Sequence, residues 1–182
     1  GWLDDVSDIV MKRVCQRMQI ETKSSHRDLV TNVDREVEQY YVQHIRTFDP
    51  EAQILGEEGF GDAVKSTEGR IWYVDPIDGT MNFVKQQDEF ATMIAVYEDG
   101  EPVMAWIMDI TNHDVVHGGP DFGVFHNDKP LQAPADTPLK DGLIILSGAR
   151  LLYEEKGFPE LAKSAIGYRV YGSAGISYLH VL

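Results

Sequence analysis

The chain has a single cysteine, Cys15, in 182 residues. That excludes an internal disulfide framework and leaves no thiolate cluster for zinc or iron–sulfur ligation. Cys15 falls within an amphipathic helical pattern and reads as a small apolar helix residue. No stretch reaches the ~18 consecutive apolar residues of a membrane span. The opening GWLDDVSDIV is acidic where a secretory signal is basic, so a cytoplasmic location without a membrane partner is expected. Basic residues are also scarce, 16 Lys and Arg against 30 Asp and Glu, for a formal charge of −14. Such a surface repels polyphosphate backbones, and no nucleic-acid partner is expected. A small anion can still bind an acidic protein where divalent cations invert the local field. What remains, 43% hydrophobic and 25% charged residues, is the composition of an ordinary globular domain with a sizeable core.

Along the chain, Leu3, Val6, Ile9, Val10, Val14 and Met18 recur at helical spacing and predict an amphipathic helix from Trp2 to about Gln19. The polar stretch ETKSSHRD breaks it. Thr31-Asn32-Val33-Asp34 then opens a second helix running towards Phe48 and stopped by Asp49-Pro50. Strand-like runs follow at 53–55, 71–74, 90–97 and 102–110. The turn Glu98-Asp99-Gly100-Glu101 predicts that the last two form an antiparallel hairpin. Short strands near 114–117 and 122–125 continue a meander, and residues 128–140 read as a loop. After Asp141 the order becomes strand, helix (about Tyr153 to Ala165), strand, and a new helix near Ser173. His113-Asp114-Val115-Val116-His117 superficially matches a zinc-peptidase motif, but that motif needs a helix, and the flanking turn residues predict a β-hairpin.

The segment Trp72-Tyr73-Val74-Asp75-Pro76-Ile77-Asp78-Gly79-Thr80 carries the chemistry. A buried apolar strand delivers Asp75 at its end, and Pro76 is expected to make the chain leave the strand there. Asp75 and Asp78, with the Ile77 carbonyl between them, can present hard oxygen ligands to magnesium. Gly79 permits close backbone approach, and the Gly79 and Thr80 amides can point at a phosphate. Thr31 and Asp34 fit a capping box, so Asp34 can start its helix as well as serve a site.

Trp72 to Phe83, W-Y-V-D-P-I-D-G-T-x-N-F, resembles the signature of the inositol monophosphatase family of magnesium-dependent, lithium-sensitive phosphatases. Two upstream segments are similar to further family motifs, Ile54-Leu55-Gly56-Glu57-Glu58 and Asp28-Leu29-Val30-Thr31-Asn32-Val33-Asp34. Gly123 to Asn127 and Gly172-Ser173-Ala174 are weaker matches, and together these cover essentially the whole chain in order. The resemblance implies an α/β (α+β) fold, a layered α/β/α/β/α sandwich of mixed, largely antiparallel sheets. It implies one domain over residues 1–182, with a metal-site half at 1–127 and the start of a second α/β half at 141–182.

The same resemblance implies hydrolysis of an inositol monophosphate-like phosphate monoester by a homodimer using about two or three Mg2+ ions. Glu57, Asp75 and the Ile77 carbonyl would hold the first metal, and Asp78 would serve a second metal and a substrate hydroxyl. Thr80, oriented by Asp34, would activate water together with Glu57. The Gly79 and Thr80 amides would hold phosphate, Ser147, Gly172, Ser173 and Ala174 would contact the leaving group, and Lys85 to Asp88 would line the entrance. Lys23 matches a lysine of the family's metal-site loop. Fructose-1,6-bisphosphate, 3′-phosphoadenosine phosphate and NADP(H) are alternative substrates, and an inactive regulatory relative is the alternative to an enzyme. The family's W-D-x-A-A segment, which supplies another metal ligand, does not occur in these residues. The chain is therefore expected to be part of a longer protein; without that segment, metal binding at Glu57 and Asp75 should survive while turnover is lost.

Overall fold

A computed structural model describes residues 1–14, 20–22, 29–153 and 156–182. Cys15, Met18, Lys23 and Asp28 lie outside the described residues. The elements begin with helix α1 (Trp2–Val14), a small antiparallel pair β1 (Ile20–Thr22) and β2 (Leu29–Thr31), and helix α2 (Asn32–Phe48). Strands β3 (Gln53–Gly56) and β4 (Arg70–Asp78) follow, then the short helix α3 (Thr80–Lys85). The meander continues through β5 (Ala91–Glu98), β6 (Glu101–Asp109), β7 (Asp114–Gly119), β8 (Gly123–His126) and β9 (Lys129–Pro130). The last part contains β10 (Leu143–Ile145), α4 (Gly148–Leu152), α5 (Phe158–Ser164), β11 (Gly167–Arg169) and α6 (Ala174–Val181).

Strands β3 to β9 form one seven-stranded sheet in sequence order. Only the β3–β4 pairing in it is parallel; β4 to β9 pair antiparallel. The β5–β6 turn places Asp99 and Gly100 at φ 52° and 82°, the paired positive values whose twist matches a two-residue hairpin. His117 lies in β7 and His113 just before it, so this segment is strand, as its flanking residues predict. Strand β9 forms where the sequence suggests only loop, adding two residues to the edge. Among the described residues of 153–165, expected as one helix, only 158–164 are helical, as α5, and α4 ends at Leu152.

Contrary to expectation, Pro76 does not end its strand. Strand β4 continues to Asp78, and between the pairs Asp75–Met93 and Asp78–Ala91 the register shifts. Two residues, Pro76 and Ile77, oppose Thr92 alone. A bulge leaves a backbone position without a ladder bond, so the missing N–H of proline costs little there.

The core lies between this sheet and helices α1 and α2. Val6 and Val10 of α1 meet Val33, Val37, Tyr41 and Ile45 of α2 and Trp72, Val74, Ile94 and Val96 of the sheet, all buried. Alternation along β4 and β5 turns Tyr73, Asp75, Met93 and Ala95 to the other face. Helix α6 packs there: a Cβ added at Gly175 would stand 2.7 Å from Ala91 Cβ and 3.1 Å from Met93 Sδ. The parallel pair β10–β11 forms a separate two-stranded sheet, with α5 against β11. The result is a mixed α/β fold with a mostly antiparallel main sheet. None of its described helices is long and apolar enough to cross a membrane.

Candidate active site

Five chain segments converge at the end of β4. The β4 bulge displays Asp75, Ile77 and Asp78. Gly79 follows at φ 86° as the residue before α3, a left-handed conformation suited to glycine. Space there is tight as well, since a Cβ on Gly79 would stand 2.9 Å from Ser173 Cβ. No side chain caps α3, so the first amides of this turn have no side-chain acceptor.

Helix α2 brings Asp34 to the same place. Its capping box is complete: Thr31 Oγ1 accepts from the Val33 and Asp34 amides, and Asp34 Oδ2 accepts from the Thr31 amide at 2.9 Å and its hydroxyl at 2.5 Å. The other carboxylate oxygen, Oδ1, faces the Thr80 hydroxyl at 3.3 Å, and that hydroxyl also lies 3.0 Å from the Ile77 carbonyl. Asp34 thus starts its helix and addresses Thr80 at once. Burial raises its pKa to about 6 against the opposing pull of the Thr31 hydrogen bonds.

Asp75 is the least satisfied group in the cluster. Its Oδ1 is buried and accepts no hydrogen bond, and burial, followed by the charges of Glu57 and Asp78, pushes its carboxyl well above the usual carboxylate range. Uncompensated buried carboxylates are costly, and a divalent cation among them removes that cost. Among the described residues no three His, Cys, Asp or Glu side chains stand close enough to hold an ion as they are. Asp78 Oδ2 is drawn towards α6 by the Ser173 hydroxyl and by the Gly175 amide at 2.7 Å. The donor set is nonetheless all oxygen, which suits Mg2+, and the buried bare Oδ1 marks where a cation fits.

The remaining expected residues divide. Ser173 is buried and caps α6, accepting from the Ile176 amide at 3.1 Å while donating to Asp78. Gly172, at φ 77°, passes close to Asn82, and Ala174 begins α6. These three lie beside the cluster. Ser147 does not join them in any hydrogen bond: it caps α4, accepting from the Arg150 amide at 3.5 Å. Lys85 ends α3, and Gln86 to Asp88 form the exposed turn after it.

Three contributors escape a reading of the sequence. Asn82 Nδ2 donates to the Glu89 and Tyr171 carbonyls at 2.8 and 2.7 Å, joining the signature to the segment before α6. Gly175 holds Asp78. Glu38, fully buried on α2, accepts from the Glu58 and Phe60 amides in the loop after β3. Burial raises the Glu38 pKa, and those two amide bonds oppose the rise. Asn82 alone had a usable signal, as the asparagine of the Trp72 to Phe83 signature; Glu38, four residues after Asp34 on the same helix face, had nothing local to set it apart.

Comparison with known proteins agrees with this geometry. The family model for the inositol monophosphatase family matches residues 1–182. The inositol-1-monophosphatase of Bacillus subtilis is 34% identical over 99% of this chain and 69% of its own length. The fructose-1,6-bisphosphatase/inositol-1-monophosphatase of Thermotoga maritima is 28% identical over 89% of this chain and 61% of its own. Among solved structures, an IMPase/NADP phosphatase complexed with NADP and Ca2+ superposes with a TM-score of 0.88 at 30% identity, covering 99% of this chain and 68% of that one. A staphylococcal IMPase-I complexed with products gives 0.86 at 28% identity, over 99% of this chain and 67% of that one. By sequence and by fold, the chain belongs to the inositol monophosphatase family, a family of phosphoric monoester hydrolases.

Proposed function

We propose that this chain carries the site for Mg2+-dependent hydrolysis of a small-molecule phosphate monoester, an inositol monophosphate or a compound like it. The observation that carries the reading is Asp75, whose buried, unpartnered Oδ1 lies among Glu57 and Asp78 and beside the Thr80–Asp34 pair. Glu57, Asp75, the Ile77 carbonyl and Asp78 would hold about two or three magnesium ions. Bound there, magnesium supplies neutralisation of the phosphate charge and acidification of a water.

The chain's own residues do the rest. Amides of Gly79 and Thr80, at the uncapped start of α3, receive phosphate oxygens. The Thr80 hydroxyl, held between Asp34 Oδ1 and the Ile77 carbonyl, orients the attacking water, and Asp34 takes its proton through that hydroxyl. Its raised pKa, about 6, suits a group that must accept and return a proton near neutrality. Glu57 shares the task of aligning the water. Ser173 holds Asp78, and with Gly172 and Ala174 it borders the space for the leaving group. Ser147 enters only as a leaving-group contact made from the β10–α4 turn. No covalent phosphoenzyme is needed.

A second reading differs in substrate alone. Relatives and neighbours named for fructose-1,6-bisphosphate and NADP favour these as alternatives; 3′-phosphoadenosine phosphate rests on the sequence resemblance alone. A homodimer and a cytoplasmic location complete the proposal.

The test is phosphate release from a panel of these esters with Mg2+ titrated, by a protein that carries this chain together with the family's W-D-x-A-A segment. Mg2+-dependent release that falls about 10²–10⁴-fold in Thr80→Ala and largely survives in Thr80→Ser supports the reading. Release that ignores Mg2+, or equal activity in Thr80→Ala, overturns it.

A further inference from the structure

Both peptide groups of Glu57 are anchored, one at each end of the residue. Its own amide donates to the Val74 carbonyl of β4 at 3.3 Å. The next amide, that of Glu58, donates to Glu38 Oε2 at 2.5 Å, and two residues on the Phe60 amide donates to Glu38 Oε1 at 2.8 Å. With both flanking amides fixed, the Glu57 Cα has one place to be. Glu38 reaches this loop from α2 with its side chain fully buried, and the space for its head exists because residue 56 is glycine. A Cβ there would stand 2.2 Å from Glu38 Oε1. A carboxylate is the one side-chain head that accepts two amides without offering a donor of its own.

We propose that Glu38 is the positioning residue for Glu57, holding the loop after β3 so that the Glu57 carboxylate can close on the cation at Asp75. The same helix therefore serves both sides of the site. Asp34 sets Thr80 from the first turn, and Glu38, one turn later on the same face, sets Glu57. Glu57 is exposed, so without this clamp closing its carboxylate on the cation would cost backbone ordering as well as side-chain ordering. Groups that orient metal ligands typically change metal affinity about 10–100-fold when removed.

The proposal rests on the divalent-cation reading of the cluster, and the test separates the two. Mn2+ binding is measured by electron paramagnetic resonance on the 182-residue chain, on Glu38→Gln and on Gly56→Ala, with thermal melts of each. Glu38→Gln keeps size and reach but turns one acceptor into a donor facing an amide. Gly56→Ala pushes the Glu38 head away from the opposite side. Ile45→Val, a buried substitution further along the same helix, controls for lost stability. The expected result is an Mn2+ dissociation constant raised about 10–100-fold in both Glu38→Gln and Gly56→Ala and unchanged in Ile45→Val. Affinity within about twofold of the unmutated chain in either folded variant overturns the proposal, as does equal weakening in Ile45→Val. An unmutated chain that binds no Mn2+ overturns the cation reading along with it.

Discussion

At Asp75 the backbone carbonyl accepts from Thr92 Oγ1 at 3.4 Å, while the side-chain Oδ1 is buried with no donor beside it. Neighbouring Glu57 and Asp78 repel it. An asparagine there would keep the shape, remove the repulsion and offer an N–H to Glu57. Asp75→Asn should therefore stabilise the metal-free chain by about 1 kcal/mol, the usual size of relief at a strained functional position. Thermal melts in chelator check this, and a lowered Tm would contradict it. Thr31 makes the opposite case. It is 1% exposed, caps α2 and fixes the Asp34 carboxylate. Thr31→Ala should cost about 1–2 kcal/mol in urea unfolding, and Thr31→Ser much less.

Among the elements, what was legible in the sequence was what local chemistry decides. The Thr31 box and the Asp49-Pro50 stop bound α2 at Asn32 and Phe48, as read. The Asp99-Gly100 turn set the β5–β6 pairing. The nine residues from Trp72 to Thr80 marked the site because strand, carboxylates and glycine lie together in the chain. The rest depended on distant partners. Strands β1, β2 and β9, of two or three residues each and set among polar residues, have no period to detect. Pro76 reads as a strand end unless β5 is known to offer one residue against two. Glu38 looks like any helix-surface glutamate until the β3 loop folds over it. Core packing between α3 and the residue that leads into β5 is testable in the same spirit. Phe83 and Phe90 are fully buried and meet edge to face at 5.0 Å between centroids, so Phe90→Ala should cost about 3–5 kcal/mol. A loss below ~1 kcal/mol by urea unfolding would contradict that packing.

Across the whole molecule, the site forms where the two parts of the chain are stapled, by Asn82 to Tyr171 and by Ser173 and Gly175 to Asp78. Its carboxylates also set the pH response of the fold. Asp34, raised to about 6, and Asp75, raised further, favour the folded state when protonated. Their stabilising contribution is complete below the unfolded carboxylate pKa of about 4 and is lost as pH rises through the folded values. Asp62, lowered first by its hydrogen bond to Arg46, acts in the other direction. Its contribution is complete above that same unfolded value, so it does not hide the fall. In chelator, Tm should decline from about pH 5 towards pH 8, and saturating Mg2+ should remove the decline. A Tm that rises over this range without metal would contradict the account. Metal binding must also displace any proton that Asp75 carries, and its raised pKa favours one. The most direct test of the whole account is therefore calorimetric Mg2+ titration near pH 7 in buffers of different ionisation heat, on the unmutated chain and on Asp75→Asn. Binding should be saturable, release about one proton per chain and be lost in Asp75→Asn; binding that is absent, or identical in the two proteins, would contradict a cation site at Asp75.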